Sequence, residues 1–394
     1  MKSLPVIRLR PREGRRVKAG APWAFSNEII MDGAAKALAP GTPVALADDK
    51  GEKIGTGYFN PKSLIAVRLM APPGAELSRD LLAAKLRRAL ALRERLFDAP
   101  YYRLVHAEGD GLPGLVIDRF GSVLSLQVTT AGMERLTDDL LAALDEVLRP
   151  DCVVLRNDTP ARSHEGLDSY VKAARGDIPA RVTVEENGVR YAADLSAGQK
   201  SGWYYDQRGN RAFMAGLAKD GRVLDVYSYS GGFSVLAAAK GAAEVTLVDS
   251  SEAALKLAAE AADTNGVASR CRFVKADAMT ELERLSAAGK AFDIVICDPP
   301  PFAPSRKDVE AGARAYRKLA RLAAGVTATG GFVLIASCSH NMPEDRFASE
   351  CAMGLARTGR QARLIRKAGA SADHPSHPML QETGYLKALV FALD

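Results

Sequence analysis

A chain of 394 residues is too long for one ordinary hydrophobic core and fits two or three domains. Its 47% hydrophobic and 25% charged residues are a soluble globular composition, with no apolar run near the roughly 20 residues that span a bilayer. The opening MKSLPVIRLRPREGRR lacks the apolar core of a signal peptide, so a cytoplasmic protein is expected.

Cys152, Cys271, Cys297, Cys338 and Cys351 form no CxxC pair and no Cys/His cluster, which argues against a disulfide framework and a zinc site; no metal is expected. The net charge of +6 is unevenly placed. Residues 1–72 carry 12 Lys+Arg and 6 Asp+Glu, whereas the other 322 residues carry 41 of each. A basic segment on a neutral body points to a partner with phosphates, against the plainer reading of a solvated surface.

In chain order, the first 72 residues hold short strand-like pieces, VIRLR, TPVALAD, KIGTGYF and LIAVRLM, separated by turns. DDKGEK reads as a hairpin turn with Gly51 at positive φ, and the whole reads as a small β-rich barrel. APPGAE is a linker. In the following LSRDLLAAKLRRALALRERLF, Leu82, Leu86, Leu90 and Phe97 fall at helical spacing. Ser78 caps the start, and Arg87, Arg88, Arg93 and Arg95 read as a solvated face. Residues 103–190 look like a small α+β unit. It has a hairpin around Gly121, one amphipathic helix MERLTDDLLAALDEVL, a strand CVVLRND and a second hairpin at Asn187-Gly188. From about residue 220, strands alternate with helices. The apolar strands RVLDVYS, EVTLVD, CRFVKAD, FDIVICD and GFVLIASCS predict a doubly wound α/β domain with a parallel sheet covered on both faces.

Ligands of such sheets lie at the carboxyl ends of the strands. The first strand runs into DVYSYSGGF, where Tyr227 and the turn Ser230-Gly231-Gly232 precede a helix, without the GxGxxG of a dinucleotide site. The second ends at Asp249, placed for ribose hydroxyls. The third ends at Asp277, which is placed for an adenine amino group or caps the next helix. Together these point to an adenosine-containing cofactor. The fourth strand ends in Asp298-Pro299-Pro300-Pro301-Phe302, a stiff wall that fixes a carboxylate beside a planar base. Pro301 separates the aromatic residue from the Asp-Pro-Pro, which argues against methylation of an exocyclic amine. The fifth strand ends at Cys338. A free cysteine is usually core, and Cys152 and Cys271 are read so. Cys338 alone ends a strand at the mouth of the site, where a thiolate would add to C6 of a pyrimidine and activate C5.

These stretches resemble the RlmI-like family of bacterial large-subunit ribosomal RNA cytosine-5 methyltransferases. The resemblance covers nearly the whole chain through RLVHAEGDGLPGLVIDRFG, QKSGWYYDQRGNR, DVYSYSGGFSV, CDPPPF, SCS and ADHP...YLKALV. It implies a PUA domain at 1–72, a central α+β domain at 73–190, and a class I methyltransferase domain at 191–394 that uses S-adenosyl-L-methionine. It implies Cys338 as nucleophile and Asp298 as the group that orients the cytosine. Tyr227, Ser230, Gly231, Gly232 and Asp249 would hold the methionine and ribose, and Asp277 the adenine. Lys200 and Arg208 would bind either the cofactor carboxylate or RNA. The implied partner is large-subunit ribosomal RNA; a homodimer is compatible with such proteins, and no membrane is involved. Pro301 stands where many RNA cytosine-5 methyltransferases carry a second cysteine, which leaves the acceptor of the C5 proton open among Asp298, a water it holds, and His340. Uracil C5 or a purine nitrogen are rival targets. A non-catalytic RNA-binding assembly protein is the rival of another class.

Overall fold

Short alternating strands open the chain, as their sequence patterns predict. The computed structural model describes residues 4–195 and 202–394. Strands β1 (Val6–Arg8), β2 (Trp23–Phe25), β3 (Thr42–Ala47), β4 (Lys53–Phe59) and β5 (Ile65–Ala71) form one sheet in the order β1-β3-β4-β5-β2. β1 and β3 are parallel and the remaining pairs antiparallel. Gly51 takes φ 92° in the β3–β4 turn, and Ile7, Leu9, Val44, Leu46, Phe59 and Val67 fill the core.

The helix Arg79–Leu96 starts at Ser78, whose hydroxyl oxygen accepts the Leu81 N–H at 3.4 Å. Its arginines are not all on a solvated face. Arg93 is fully buried and pairs with both oxygens of Asp110 at 2.6 and 2.8 Å. It continues the stripe Leu82, Leu86, Ala89, so its position faces inward and its charge requires a buried partner. Strands β6 (Tyr101–His106), β7 (Leu115–Phe120), β8 (Val123–Val128), β9 (Cys152–Asn157) and β10 (Tyr170–Arg175) form a second sheet, ordered β10-β9-β8-β7-β6. Gly121, at φ 66°, turns β7 into β8. The single helix expected between β8 and β9 is two, Ala131–Arg135 and Thr137–Val147. The break follows from Thr137, whose hydroxyl donates to the Glu134 carbonyl at 2.8 Å and competes with the helical ladder.

The chain divides into two compact units. One comprises residues up to Val182 with Asp194–Trp203 and Ala372–Thr383; the other comprises Thr183–Ala193, Tyr204–Ser371 and Gly384–Asp394. In the first, Tyr58 of β4 reaches into the core of the second sheet, donating to the Pro113 carbonyl at 2.8 Å.

The second unit begins with the hairpin β11 (Val182–Glu186) and β12 (Val189–Ala193). Asn187 and Gly188 turn it at φ 54° and 81°, a type I′ pattern. Its main sheet has seven strands: β13 (Arg222–Val226), β14 (Glu244–Asp249), β15 (Cys271–Lys275), β16 (Phe292–Cys297), β17 (Thr327–Ser337), β18 (Ala362–Ala368) and β19 (Lys387–Leu393). The order is β15-β14-β13-β16-β17-β19-β18, with β13–β17 parallel and β19 antiparallel to both neighbours. The chain reverses its direction of travel across the sheet at β13, so the switch point, where sheets of this kind bind ligands, falls between β13 and β16 at the carboxyl edge. This is the doubly wound α/β domain expected from the alternating pattern. Cys152, Cys297 and Cys351 are buried as free thiols, whereas Cys271 is half-exposed. The core reading of Cys271 fails because β15 is an edge strand and lacks cover on one side. Among the described residues, no helix is long and apolar enough to cross a membrane.

Candidate active site

The turn after β13 carries unusual backbone. Tyr227, Tyr229 and Gly231 all have positive φ, at 63°, 47° and 79°. Non-glycine residues are seldom held there, and such strain concentrates at functional sites. Two contacts hold the turn: the Tyr229 N–H donates to Asp249 Oδ2 at 2.8 Å, and the Gly231 N–H donates to the Ser228 carbonyl at 2.9 Å. A Cβ on Gly231 would lie 3.0 Å from the Ala258 methyl, and one on Gly232 would lie 2.6 Å from Arg211 Nε. A side chain at either glycine would make its neighbour shift, and Gly231 is also favoured by its dihedral. The helix Gly232–Ala239 begins here.

Asp249 ends β14 as predicted. Its second oxygen accepts the Ser251 N–H at 2.8 Å, so each carboxylate oxygen keeps one lone pair for a further donor. Asp277 lies two residues past β15 and is the N-cap of the helix Ala278–Ala287, accepting from the Thr280 N–H at 2.9 Å and its hydroxyl at 2.8 Å. Those bonds hold its carboxyl below the usual range. The capping alternative is thus realised, and one oxygen of the exposed side chain stays outside these bonds.

Arg208 starts the helix Arg208–Gly216, half-buried, with Nε 3.7 Å from Glu186 Oε2. Arg211, one turn on, pairs with Glu186 Oε1 at 2.8 Å and lies against the Phe233 ring and Gly232. Lys200 lies outside the described residues.

Asp298 follows β16 directly and Cys338 follows β17, on adjacent parallel strands where Cys297 pairs with Ile335. Both are partly exposed. Their loops are tied together. The Ala303 N–H donates to Ser339 Oγ at 3.2 Å, and the Asn341 side chain donates to the Pro304 carbonyl at 3.0 Å. Beneath them the buried Tyr316 hydroxyl lies 2.8 Å from Ser337 Oγ and 3.1 Å from Ser339 Oγ. Cys338 is thus flanked by two serines pinned to one tyrosine. In the wall, Pro299 is buried and Phe302 packs on Tyr316 at 4.9 Å and on Tyr227 at 6.5 Å. His340 is exposed, its ring 5.3 Å from Tyr385.

Three groups here were not singled out from sequence. Tyr204 stacks edge-on with Tyr229 at 5.4 Å. Burial raises its hydroxyl pKa, and nearby Tyr229, Asp298 and Cys338 add to the rise. A Tyr-Tyr-Asp run carries no signal for this, because the contacts are made across the sheet edge. Asp225, in the middle of β13, is almost fully buried, and burial pushes its carboxyl up to about 7. Lys387 of β19 donates to the Ser339 carbonyl at 2.8 Å.

This strand order, with a strained turn before the first helix and an acidic end on the second strand, defines an S-adenosylmethionine-dependent methyltransferase fold. Comparison with known proteins agrees: residues 165–392 match the S-adenosylmethionine-dependent methyltransferase family and residues 7–72 match a PUA-like domain. The chain is 34% identical to ribosomal RNA large subunit methyltransferase I of Alteromonas mediterranea over 97% of each chain. It is 36% identical to the protein of that name from Shewanella frigidimarina over 98% of each. The chain belongs to the ribosomal RNA large subunit methyltransferase I family. In fold it is similar to a solved chain, assigned as a methyltransferase and complexed with SAH, at TM-score 0.85 and 20% identity over 99% of this chain and all of that one.

The residues present suit the cofactor. Asp225 Oδ1 and the Ser228 and Ser230 hydroxyls are buried with no hydrogen-bond partner among the described residues. Unpaired buried polar atoms are costly, and their convergence at the β13 turn is what a polar, cationic ligand would resolve.

Proposed function

We propose that this chain methylates cytosine C5 in large-subunit ribosomal RNA through a covalent bond between Cys338 and C6. The observation that carries this reading is the fixing of Cys338 beside the Asp298 loop by Ser337, Ser339 and Tyr316. A structural cysteine needs no such frame. The names of the relatives support the RNA substrate. Residues 1–72 would hold RNA, 73–190 would form a central α+β domain, and 191–394 would carry catalysis.

In this reading Tyr227, Ser230, Gly231, Gly232 and Asp249 bind the methionine and ribose of S-adenosylmethionine, Asp277 the adenine, and Lys200 and Arg208 its carboxylate or RNA. Bound there, the cofactor supplies the electrophilic methyl group that C5 accepts. The chain's own residues do the rest. The target base leaves its stack and lies against Pro299–Phe302. The Cys338 thiolate bonds to C6, and the electron pair displaced from the C5–C6 double bond makes C5 nucleophilic. Asp298 hydrogen-bonds the 4-amino group and passes a proton to N3 as the sulfur adds to C6; N3 gives that proton up to solvent once the sulfur has left. After methylation, loss of the C5 proton to a water on Asp298 expels the sulfur and restores the ring.

The test is methyl transfer to ribosomal RNA by Cys338→Ala, with the nucleoside identified by mass spectrometry. Activity should fall roughly a thousandfold or more, as when a covalent nucleophile is removed. Full activity would rule the mechanism out, and a methylated purine or uracil would replace the assigned target.

A further inference from the structure

Lys387 lies opposite Ser337 in the β17–β19 register, and its ammonium donates to the Ser339 carbonyl. The side chain therefore runs alongside residue 338, between the residues on either side of the sulfur. It is 9% exposed. A lysine buried this far is rare unless an anion accompanies it, and a carbonyl oxygen supplies an acceptor without a charge. Among the described residues, the acidic groups whose charges act on it are Cys338 and Glu344. Burial lowers the pKa of the amine, and both of these oppose that fall. Glu344 is exposed at the start of the helix Glu344–Ala356 and lies 3.7 Å from Lys367, so its charge is shared and screened by water. Cys338 is next in the chain to the Ser339 carbonyl that the ammonium holds, and its charge acts on Lys387. Among the described residues, the hydroxyls of Tyr204 and Tyr316 also face Cys338, each kept protonated because burial and the sulfur's own charge raise its pKa, and Asp298 stands at the adjacent strand end, where its charge opposes a thiolate and must be outweighed by the ammonium.

We propose that Lys387 is a positioning residue whose ammonium keeps Cys338 as the thiolate in the resting enzyme while its N–H fixes the Ser339 carbonyl. This rests on the reading of Cys338 as nucleophile. The thiol proton passes to solvent and Lys387 stays protonated throughout. A cysteine is activated in this way beside a fixed cation. The arrangement explains why a lysine occupies an inward position of an otherwise apolar strand, KALVFAL.

The test is the pH profile of iodoacetamide alkylation, read at the Cys338 peptide by mass spectrometry. The other four cysteines are kept as slow thiols by burial, which raises the pKa of each. The wild-type midpoint should fall below the ordinary cysteine value of about 8.5. Lys387→Gln, which keeps an N–H donor and loses the charge, should raise the midpoint by about one pH unit and slow labelling at pH 7 about tenfold. Lys387→Arg should restore it. An unmoved midpoint in folded Lys387→Gln overturns the proposal. So does an ordinary midpoint in the wild type, which needs no variant to fold. An ordinary midpoint with inactive Cys338→Ala removes only the role of Lys387. A depressed midpoint with fully active Cys338→Ala removes the nucleophile reading instead.

Discussion

Asp225 shows what a single buried carboxyl does to the free protein. Burial pushes it up to about 7; the Ser234 hydroxyl, donating at 2.6 Å, opposes this, and Asp298 and Asp249 add to it. In the unfolded chain the same group ionises near 3.8. Between these values the folded state binds the extra proton, so stability falls as pH rises from about 4 to about 7 and then levels. Asp225→Asn keeps the shape without the titration. Without added cofactor, the variant should gain on the wild type across that window by up to about 4 kcal/mol, read by urea unfolding at each pH. A difference that stays constant with pH would refute it. Asp225 stands in the motif DVYSYSGGF, yet only burial distinguishes it from a solvated carboxylate. Tyr204 and Lys387 were illegible for the same reason: their partners lie far along the chain or across the sheet. Cys338, Asp298 and Asp249 could be read because a strand end is a local pattern, and the topology brings such ends together.

At the scale of elements, the five parallel strands were legible as apolar runs, and the three hairpins, at Gly51, Gly121 and Asn187-Gly188, by their turn residues. What periodicity could not supply was the break at Leu136, set by the Thr137 hydroxyl, and the inward turn of Arg93, set by Asp110. Nor could it show that the loops after β16 and β17 are joined. Ser339 makes the buried part of that join, accepting from the Ala303 N–H and meeting the Tyr316 hydroxyl, and Asn341 adds a bond to the Pro304 carbonyl. Ser339→Ala should therefore leave the buried Ala303 N–H without this acceptor, while the Tyr316 hydroxyl keeps Ser337, costing about 1–3 kcal/mol. Because the two loops hold Cys338 and Asp298, the rate constant for methyl transfer should fall about tenfold or more while cofactor affinity, proposed to be set at the β13 turn, should be unchanged. Calorimetry and single-turnover kinetics separate the two. Equal losses in both would mean that the serine supports the whole carboxyl edge rather than the join.

For the whole molecule, the distribution of charge separates two tasks. The excess of +6 in residues 1–72 sits on a segment whose family match is a PUA-like domain, while the rest of the chain is neutral. Not every cation there is available to a partner. Arg68 is half-buried against the Trp23 ring and beside Glu108 and Glu165, and Lys18 lies 3.3 Å from Asp48. Arg8, Arg12 and Arg15 are exposed and form no ion pair among the described residues. If this segment grips the phosphate backbone of the RNA, affinity must fall steeply with salt, because each neutralised phosphate releases condensed counterions. Changing Arg8, Arg12 and Arg15 together to alanine should flatten the slope of log affinity against log salt by about 2–3, at 0.7–0.9 for each phosphate contact. The thermal midpoint should hold, since surface charges of this kind contribute little to stability. Cofactor binding should hold too, because the β13 turn and Asp249, which would bind the methionine and ribose, belong to the other compact unit. Filter binding of a ribosomal RNA fragment between 50 and 200 mM salt reads the first quantity and calorimetry the last. An unchanged slope would move the RNA contact off this basic segment and leave its charge as a solvated surface.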